Sequence, residues 1–404
     1  MKPPVLFLNK HPYEHFSRGG RYILPTDEVE LHIVSRNQRY GGVTGFAEHP
    51  LAHVSLCGIH DEDHWRAVGR WSVRHHGIRR VIAVHEKAVL LAAELRSEFG
   101  LPGMDFETAA RFRDKVRMKE AVRNAGAAAV PGFAALDSPA DLEKLDWTAG
   151  PRKVIKGRRG LAAKDLYVVE GLEEARRVVA GLDLSGARFE VEDFVRGEVY
   201  HCDSVVRDGR ILFSSVGKYL ADPASYSPGG IFGTVLVREG ALMRRILEMN
   251  EKVLPALGLR DGTTHLELFH TDTDDLVFCE VAGRPPGGII PPVIEHQYGF
   301  NIVETQIRLD AGLPFSLGSA LDSGQDASAT GFIAFYPDAS TPAGIPPQRY
   351  AELGIVEYLP SPGAGDGRGG VKHSTDFRDS YVVRAPDSGT LMRRIAAVED
   401  AYRR

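Results

Sequence analysis

The sequence predicts a mixed α/β protein: a parallel sheet covered by helices near the N-terminus, then antiparallel hairpins, then a β-rich tail. Three observations carry that expectation. Residues 1 to about 105 alternate short apolar runs with amphipathic stretches, which is the pattern of a parallel sheet. Residues 152–170 and 262–288 each read as two strands joined by a turn. Residues 330–404 hold short strand-like runs closed by a helix.

The 404 residues allow two or three domains with ample core. Hydrophobic content of 43% and charged content of 25% are ordinary for a globular protein. A net charge of −5 with no long basic run gives no nucleic-acid footprint. Met1-Lys2-Pro3-Pro4 leads into a short strand without a long apolar core or cleavage site, so no signal peptide is expected. No apolar run approaches about 18 residues, so no membrane span is expected. Cys57, Cys202 and Cys279 are too few and scattered for a disulfide framework or a zinc cluster, and they suit a reducing cytoplasm.

In chain order, residues 5–8, 31–34, 53–56 and 81–84 read as buried strands, and 63–76 and 86–99 as helices, the second closed by Gly100 and Pro102. No G-x-G-x-x-G follows the first strand, so a dinucleotide site is not expected. Asn9-Lys10 and Arg18-Gly19-Gly20-Arg21 are candidates to touch an anion, with a solvated loop as the plainer alternative. His60 with His64, and His11 with His15, are spaced to share a helix face. No third ligand stands at a recognisable spacing, so surface or capping histidines are the default. Residues 105–125 read as one helix ending at Gly126. Its Arg111, Arg113, Lys115, Arg117 and Lys119 make either a basic helix start aimed at a ligand or a polar face.

The 157–165 connection joins strands at 152–156 and 166–169. Its Gly and Ala residues let backbone N–H groups approach a ligand closely, and its cations suit phosphate. Lys156, at the strand end, reaches out as a point charge. The loop is not G-x-x-x-x-G-K-[ST], so no P-loop is inferred, and a plain loop is the alternative to a mobile phosphate lid. A helix at 171–180 and a connector at 192–195 follow, then strands through Val206 and at 211–216, with Lys218 and a glycine-rich loop at 225–230 beyond. A helix spans 241–257. Residues 285–292 read as a pocket-lining loop, 301–311 as a helix and 312–330 as a linker. The tail strands are expected at 329–336, 355–359, 371–374 and 381–384, closed by a helix at 388–403.

The chemistry concentrates at 262–288. Leu266 and Leu268 alternate with His265 and Glu267, the period-two mark of a half-buried strand. On the second strand Val277, Cys279 and Val281 are expected to face one way, and Phe278 and Glu280 the other. With the turn centred on Thr273-Asp274, Glu267 lies opposite Glu280. Directly paired Cβ atoms are about 5 Å apart, and like charges there repel. A hard divalent cation held by carboxylate oxygens resolves that repulsion; a surface hairpin with two exposed acids is the plain alternative. Arg284 follows four residues later and is suited to clamp an anion.

In this order the pieces resemble the ATP-grasp superfamily across roughly residues 1–310, within the carboxylate–amine ligase branch that includes the L-amino acid (dipeptide) ligases. The tail is similar to the C-terminal part of that branch and of biotin carboxylases. Lys115 in RDKVRMKEAV and Lys156 in KVIKGRRGLAAKD match the family's two lysines, Glu267 and Glu280 its paired metal acids, and Arg284 the arginine that follows. THLE, ending at Glu267, resembles the corresponding dipeptide-ligase strand. There are departures: Ala282 stands where many members have a metal-binding Asn, Gly157 replaces the usual Pro, and Ala163 replaces a serine of the glycine-rich loop.

The resemblance implies an N-terminal α/β domain (1–110), a mobile lid with a phosphate flap (111–195) and a C-terminal catalytic domain (196–404) that includes the tail (330–404). It implies ATP and Mg2+, or Mn2+, as cofactors, amide formation through an acyl-phosphate, and a homodimer in the cytoplasm. The partners would be a small carboxylate and an amine, with amino acids the natural pair. Glu192, Asp193, Phe194 and Val195 would form the adenine connector and Glu198 the ribose contact. Lys218 and Ala163 would face the phosphates. His265 would orient or deprotonate the amine, or make a structural hydrogen bond. Tyr226, Gly287, Gly288 and Ile289 would line the substrate pocket. A bicarbonate-activating, biotin-carboxylase-like enzyme and a non-catalytic ATP-binding scaffold are the alternatives.

Overall fold

The computed structural model describes residues 2–18, 20–36, 51–58, 61–161, 165–318, 328–338, 344–360, 371 and 374–404. Among these, no helix is long and apolar enough to cross a membrane. Ala163 and His60 lie outside the described residues, as do residues 319–327 of the expected linker at 312–330.

The first sheet contains β1 (Pro4–Asn9), β4 (Glu30–Arg36), β5 (His53–Cys57) and β6 (Arg80–Ile82), in the order β5-β4-β1-β6. Every pairing in it is parallel, as the alternation predicts. A two-residue ribbon, β2 (Ser17–Arg18) with β3 (Arg21–Tyr22), stands apart. Leu6 and Leu8 pack with Trp65, Ala92 and Leu95 from the two flanking helices. Val5 and Phe7 face the other way, onto Val303 and Ile307 of the distant helix Ile302–Ala311. A buried ion pair, Arg96 to Asp310 at 2.8 Å, fastens that helix to the helix Glu86–Phe99 that covers the sheet.

Residues 105–125 form two helices, Phe106–Arg113 and Lys115–Asn124, rather than one. Asp114 breaks the run: its backbone is extended and its carboxylate caps the amides of Val116 and Arg117. Asp114 is itself locked by Arg158, at 3.0 and 2.8 Å. The break puts Lys115 at a helix start.

The second sheet is antiparallel: β7 (Phe133–Leu136), β8 (Lys153–Gly157), β9 (Leu166–Val169) and β10 (Phe189–Asp193), ordered β7-β10-β8-β9 and backed by the helix Leu172–Ala180. The third has eight antiparallel strands: β11 (Gly197–Arg207), β12 (Arg210–Tyr219), β13 (Ile231–Val237), β14 (Gly262–Thr271), β15 (Leu276–Ala282), β16 (Ala329–Phe335), β17 (Ile355–Pro360) and β18 (Asp379–Ala385). Their order, β15-β14-β11-β12-β13-β16-β18-β17, makes the tail a continuation of the same sheet. Neither Val371 nor Ser374 lies in a strand, and 372–373 are outside the described residues. The 285–292 stretch, expected as a loop, instead starts the helix Ile290–Tyr298. Its two prolines fall at the first helical positions, where the missing N–H costs nothing.

The β14–β15 register contains a bulge. Thr271 and Asp275 close the turn, with Asp274 at a φ of 64°, so it centres on Thr273, half a residue earlier than expected. Pairing then runs Leu268 to Phe278 but Glu267 to Glu280, leaving Cys279 with no residue opposite. The bulge re-aims the strand: Phe278 and Val281 both enter the core with Leu266 and Leu268, contrary to the simple alternation. Phe278 is fully buried there. Replacing it (Phe278→Ala) is expected to cost about 3–5 kcal/mol, seen as a lowered denaturation midpoint; a midpoint equal to wild type would mean that the bulge is held from elsewhere.

Candidate active site

Glu267 and Glu280 face each other across the bulge, as the sequence predicts. The helix start at Lys115 delivers its ammonium to Glu280 at 2.8 Å. Its backbone amide and ammonium also hold the carbonyls of Arg158 and Gly160, at 3.0 and 3.4 Å, so the glycine-rich connection is tied to the same point. Arg113, Lys115 and Lys119 are buried, so the basic run is an inward-facing device rather than a polar face. Arg158 is equally committed, through Asp114, and is not a free phosphate cation.

Lys156 lies 2.6 Å from Glu192 and 3.9 Å from Glu190. Lys119, fully buried, binds Glu190 at 2.7 Å and also contacts Glu192. Two lysines and two carboxylates thus share the floor of the second sheet. Burial opposes the charge on Lys156, but Glu192 and its other neighbours lift its pKa well above the ordinary lysine value. Burial likewise works to raise Glu192, and Lys119 and Lys156 overcome it and hold it at about 2.

In the connector, the amides of Asp193 and Phe194 donate to the carbonyls of Gly132 and Arg152, at 2.8 and 3.2 Å. The Asp193 carboxylate takes Lys153 at 2.5 Å, and Arg152 stacks over the Phe194 ring at 3.9 Å. Among the described residues, Val195 alone of these three keeps an amide without a hydrogen-bond partner.

Arg284 donates to Glu86 at 2.5 Å and to the carbonyl of Pro285 at 2.6 Å. Glu86 also holds Arg113. Burial works to raise the Glu86 carboxyl, and Arg113, Arg284 and Lys115 outweigh it and hold it at about 2. A Cβ at Gly287 would lie 3.9 Å from the Arg284 guanidinium, and Gly288 has a left-handed φ of 59°. Tyr226 and Ile289 pack against the same apolar cluster as Phe232, Tyr336 and Phe377.

Behind Glu267 is a buried polar network. Tyr219 donates to Glu267 at 2.7 Å. His265 reaches Asp203 through Nδ1 at 2.6 Å and Glu267 through Nε2 at 3.3 Å. His201 reaches the other Asp203 oxygen at 2.7 Å and Thr234 at 2.8 Å. His201, Asp203 and His265 offer ligand atoms within 4.8 Å of one another, but these atoms are already engaged in the network. Burial favours neutral His265, and Asp203 and Glu267 overcome it, raising its pKa to about 9. They hold it as a cation.

Glu198 and Lys218 are not brought to this cluster. They pair with each other at 2.6 Å beside Tyr200, on the sheet face that carries Leu266 and Leu268. β12 extends through Lys218 to Tyr219, so alternation sends Tyr219 to Glu267 and turns Lys218 away. The pair lines a cavity of about 700 Å3 with Tyr219, Arg238, Glu239 and Met392. Glu86, Glu190, Asp203 and Tyr219 were missed by sequence reasoning, and Arg113 and Lys119 were not given separate roles. Only the basic run marked Arg113 and Lys119, and no short spacing marks the rest, since Glu86 and Arg284 stand 198 positions apart.

Comparison with solved structures decides the fold. An L-amino acid ligase from Bacillus licheniformis superposes with a TM-score of 0.75 at 17% identity, over 99% of this chain and 98% of that one. The chain has the ATP-grasp fold. An N5-carboxyaminoimidazole synthetase from Staphylococcus aureus complexed with ADP gives 0.70 at 12% identity, over 99% and 98%. A biotin carboxylase–ATP-analogue complex from Campylobacter jejuni gives 0.67 at 15%, over 98% and 91%. In sequence, the chain is 29% identical over 240 residues to an L-arginine-specific L-amino acid ligase of Bacillus subtilis, spanning 57% of each, or just over half of that relative's length. No protein-family model matches the chain.

Lys119→Ala removes one of the two cations that compensate Glu190 and Glu192. The expected loss is about 3–5 kcal/mol of stability, read as a lowered denaturation midpoint, with Glu190→Gln added in the double variant restoring part of it. Equal midpoints for wild type and Lys119→Ala would contradict this charge balance.

Proposed function

We propose that this protein is an ATP-dependent carboxylate–amine ligase acting on amino acids. The observation that carries the reading is the opposed Glu267–Glu280 pair with Lys115 against Glu280 and Arg284 at the end of the same hairpin. These residues fit Mg2+ or Mn2+. Both donors are hard carboxylate oxygens, and Glu267 stays ionised at about 2 because its bonds from His265 and Tyr219 outweigh burial. The ion, when bound, would neutralise charge on the β- and γ-phosphates.

The chain's own residues do the remaining work. Lys115 and Lys156 hold phosphate oxygens as point charges. The unpaired Val195 amide, beside Glu192, Asp193 and Phe194, suits an adenine edge. Glu198 is assigned to the ribose and Ala163 to the flap by resemblance. The place of Lys218 on the sheet face away from Glu267 favours a structural role for that lysine over phosphate contact. Arg284 orients the substrate carboxylate, with Gly287 beside its guanidinium. Tyr226, Gly288 and Ile289 bound the pocket. His265, with both ring nitrogens on carboxylates, positions Glu267 rather than accepting a proton from the amine.

A substrate carboxylate oxygen attacks the γ-phosphorus and ADP leaves, giving an acyl-phosphate. The amine nitrogen then attacks the acyl carbon, phosphate leaves, and the nitrogen gives up a proton. Phosphoryl transfer of this kind needs positioning and charge rather than a protein nucleophile. Residues 1–110, 111–195 and 196–404 act as substrate wall, lid and catalytic platform. Three free cysteines are consistent with a cytoplasmic protein, and a homodimer is the assembly expected by resemblance.

The test is phosphate release from ATP and Mg2+ against pairs of amino acids and small acids, with mass spectrometry of the positive mixtures. Release that needs both partners, with a product one water lighter than their sum, is expected. Release driven by bicarbonate would favour a carboxylase, and ATP binding without substrate-dependent release a scaffold. Glu280→Gln is expected to lower turnover by about 100-fold or more while leaving the denaturation midpoint close to wild type; an unaltered rate would remove Glu280 from the site.

A further inference from the structure

Three imidazoles stand in the N-terminal unit beside Arg284, and the ligase chemistry above does not use them. Their place follows from topology. From β1 the chain moves to β4 and then β5 on one side, and then crosses to β6 on the other side of β1. The switch point therefore lies between β1 and β6. In open α/β sheets, ligands bind in the crevice that opens at the carboxyl ends of the strands at this point. His11 follows β1 by two residues and His85 follows β6 by three, so both sit at that crevice.

The geometry is that of a donor cluster. The His11 ring stacks on His15 at 4.0 Å with an interplanar angle of 5°, and meets His85 at 4.7 Å, near edge-on. His85 Nδ1 accepts the Lys87 amide at 3.1 Å, which leaves its proton on Nε2. Among the described residues, neither that N–H nor the ring nitrogens of His11 and His15 have a hydrogen-bond partner, and all three side chains are partly exposed. Face-to-face stacking keeps the in-plane lone pairs of His11 and His15 parallel rather than convergent on one metal ion, and among the described residues the three rings do not form a ligand cluster.

The surrounding charge is cationic. Arg284 and Arg36 act on both His11 and His85, Lys10 on His85 and Arg18 on His15. Lys10 is buried with its ammonium over the Trp65 ring at 4.5 Å. Among the acids beside these cations, Glu86 is already shared by Arg113 and Arg284, and Glu295 and Glu357 both hold Arg18. Burial and these cations keep the imidazoles neutral, His15 at about 4 and His85 at about 3. An anion placed among them would relieve that field, and the rings would take up protons as it binds.

We propose that His11, His15 and His85, with Arg284, form a subsite for a substrate carboxylate other than the one that is activated. The carboxylate would accept from the imidazole N–H groups, while Arg284 addresses the reacting end. The placement of that second carboxylate within a reacting substrate rests on the ligase reading; the anion site itself does not.

The test uses glutarate as the probe, with neutral glutaramide as its control, on the full chain at about pH 6 where free imidazole titrates. Histidine side-chain NMR signals are assigned with His11→Gln, His15→Gln and His85→Asn variants. Asn at 85 keeps a helix-capping acceptor while withdrawing the Nε2–H. Glutarate is expected to move all three imidazoles toward the protonated form, more tightly at lower pH, and glutaramide is not. His85→Asn is expected to weaken glutarate binding about tenfold, the size of one lost charge-assisted hydrogen bond, with affinity for a non-hydrolysable ATP analogue unchanged. Glutarate binding that ignores both His85→Asn and His11→Gln, or equal binding of glutaramide, would overturn the proposal. An amide product without any imidazole response would sink the subsite and keep the ligase. Imidazole responses without any amide product would keep the subsite and sink the ligase.

Discussion

Two carboxylates held face to face organise this protein. Glu267 and Glu280 are cross-strand partners at the one irregular step of the β14–β15 hairpin. Like charges so placed repel unless cations are brought to them. The surrounding structure supplies the compensation from separate parts of the chain: Lys115 from a helix start pairs with Glu280, and the His265 cation and the neutral Tyr219 hydroxyl from the same sheet hold Glu267. The Asp114 helix break and the Arg158 lock keep Lys115 at its post. The network Thr234–His201–Asp203–His265 keeps Glu267 ionised and aimed. A site built this way is preorganised for charge that arrives with a ligand.

Much of this was legible in the sequence because it is local. Period-two alternation placed Leu266, Leu268, His265 and Glu267 on their correct faces. The βα alternation of the first hundred residues specified a parallel sheet, and Gly100 marked a helix end that it does cap. Glu267 was matched to Glu280 although the turn centre was placed half a residue off, because the bulge restores the register between the turn and the acids.

What remained hidden depends on long-range geometry. The bulge at Cys279 reverses the facing of Phe278, and no residue type there announces it. The capping role of Asp114 is visible only once Arg158 is seen beside it. Lys218 carries a family-like position in the sequence, yet one extra turn of alternation puts Tyr219 at Glu267 in its place. Glu86 acquires its role by meeting Arg113 and Arg284 from distant segments. The histidines at 11, 15 and 85 form a cluster only through the crossover that sets β6 beside β1.

The central claim is that Glu267 and Glu280 serve a cation that travels with ATP. Calorimetric titration of a non-hydrolysable ATP analogue, with and without Mg2+, into wild type and Glu267→Gln tests it most directly. The account predicts tight binding to wild type that depends on Mg2+, and binding to the variant that has lost most of that dependence. Equal affinities with and without Mg2+ in wild type, or an unchanged Mg2+ dependence in Glu267→Gln, would contradict it.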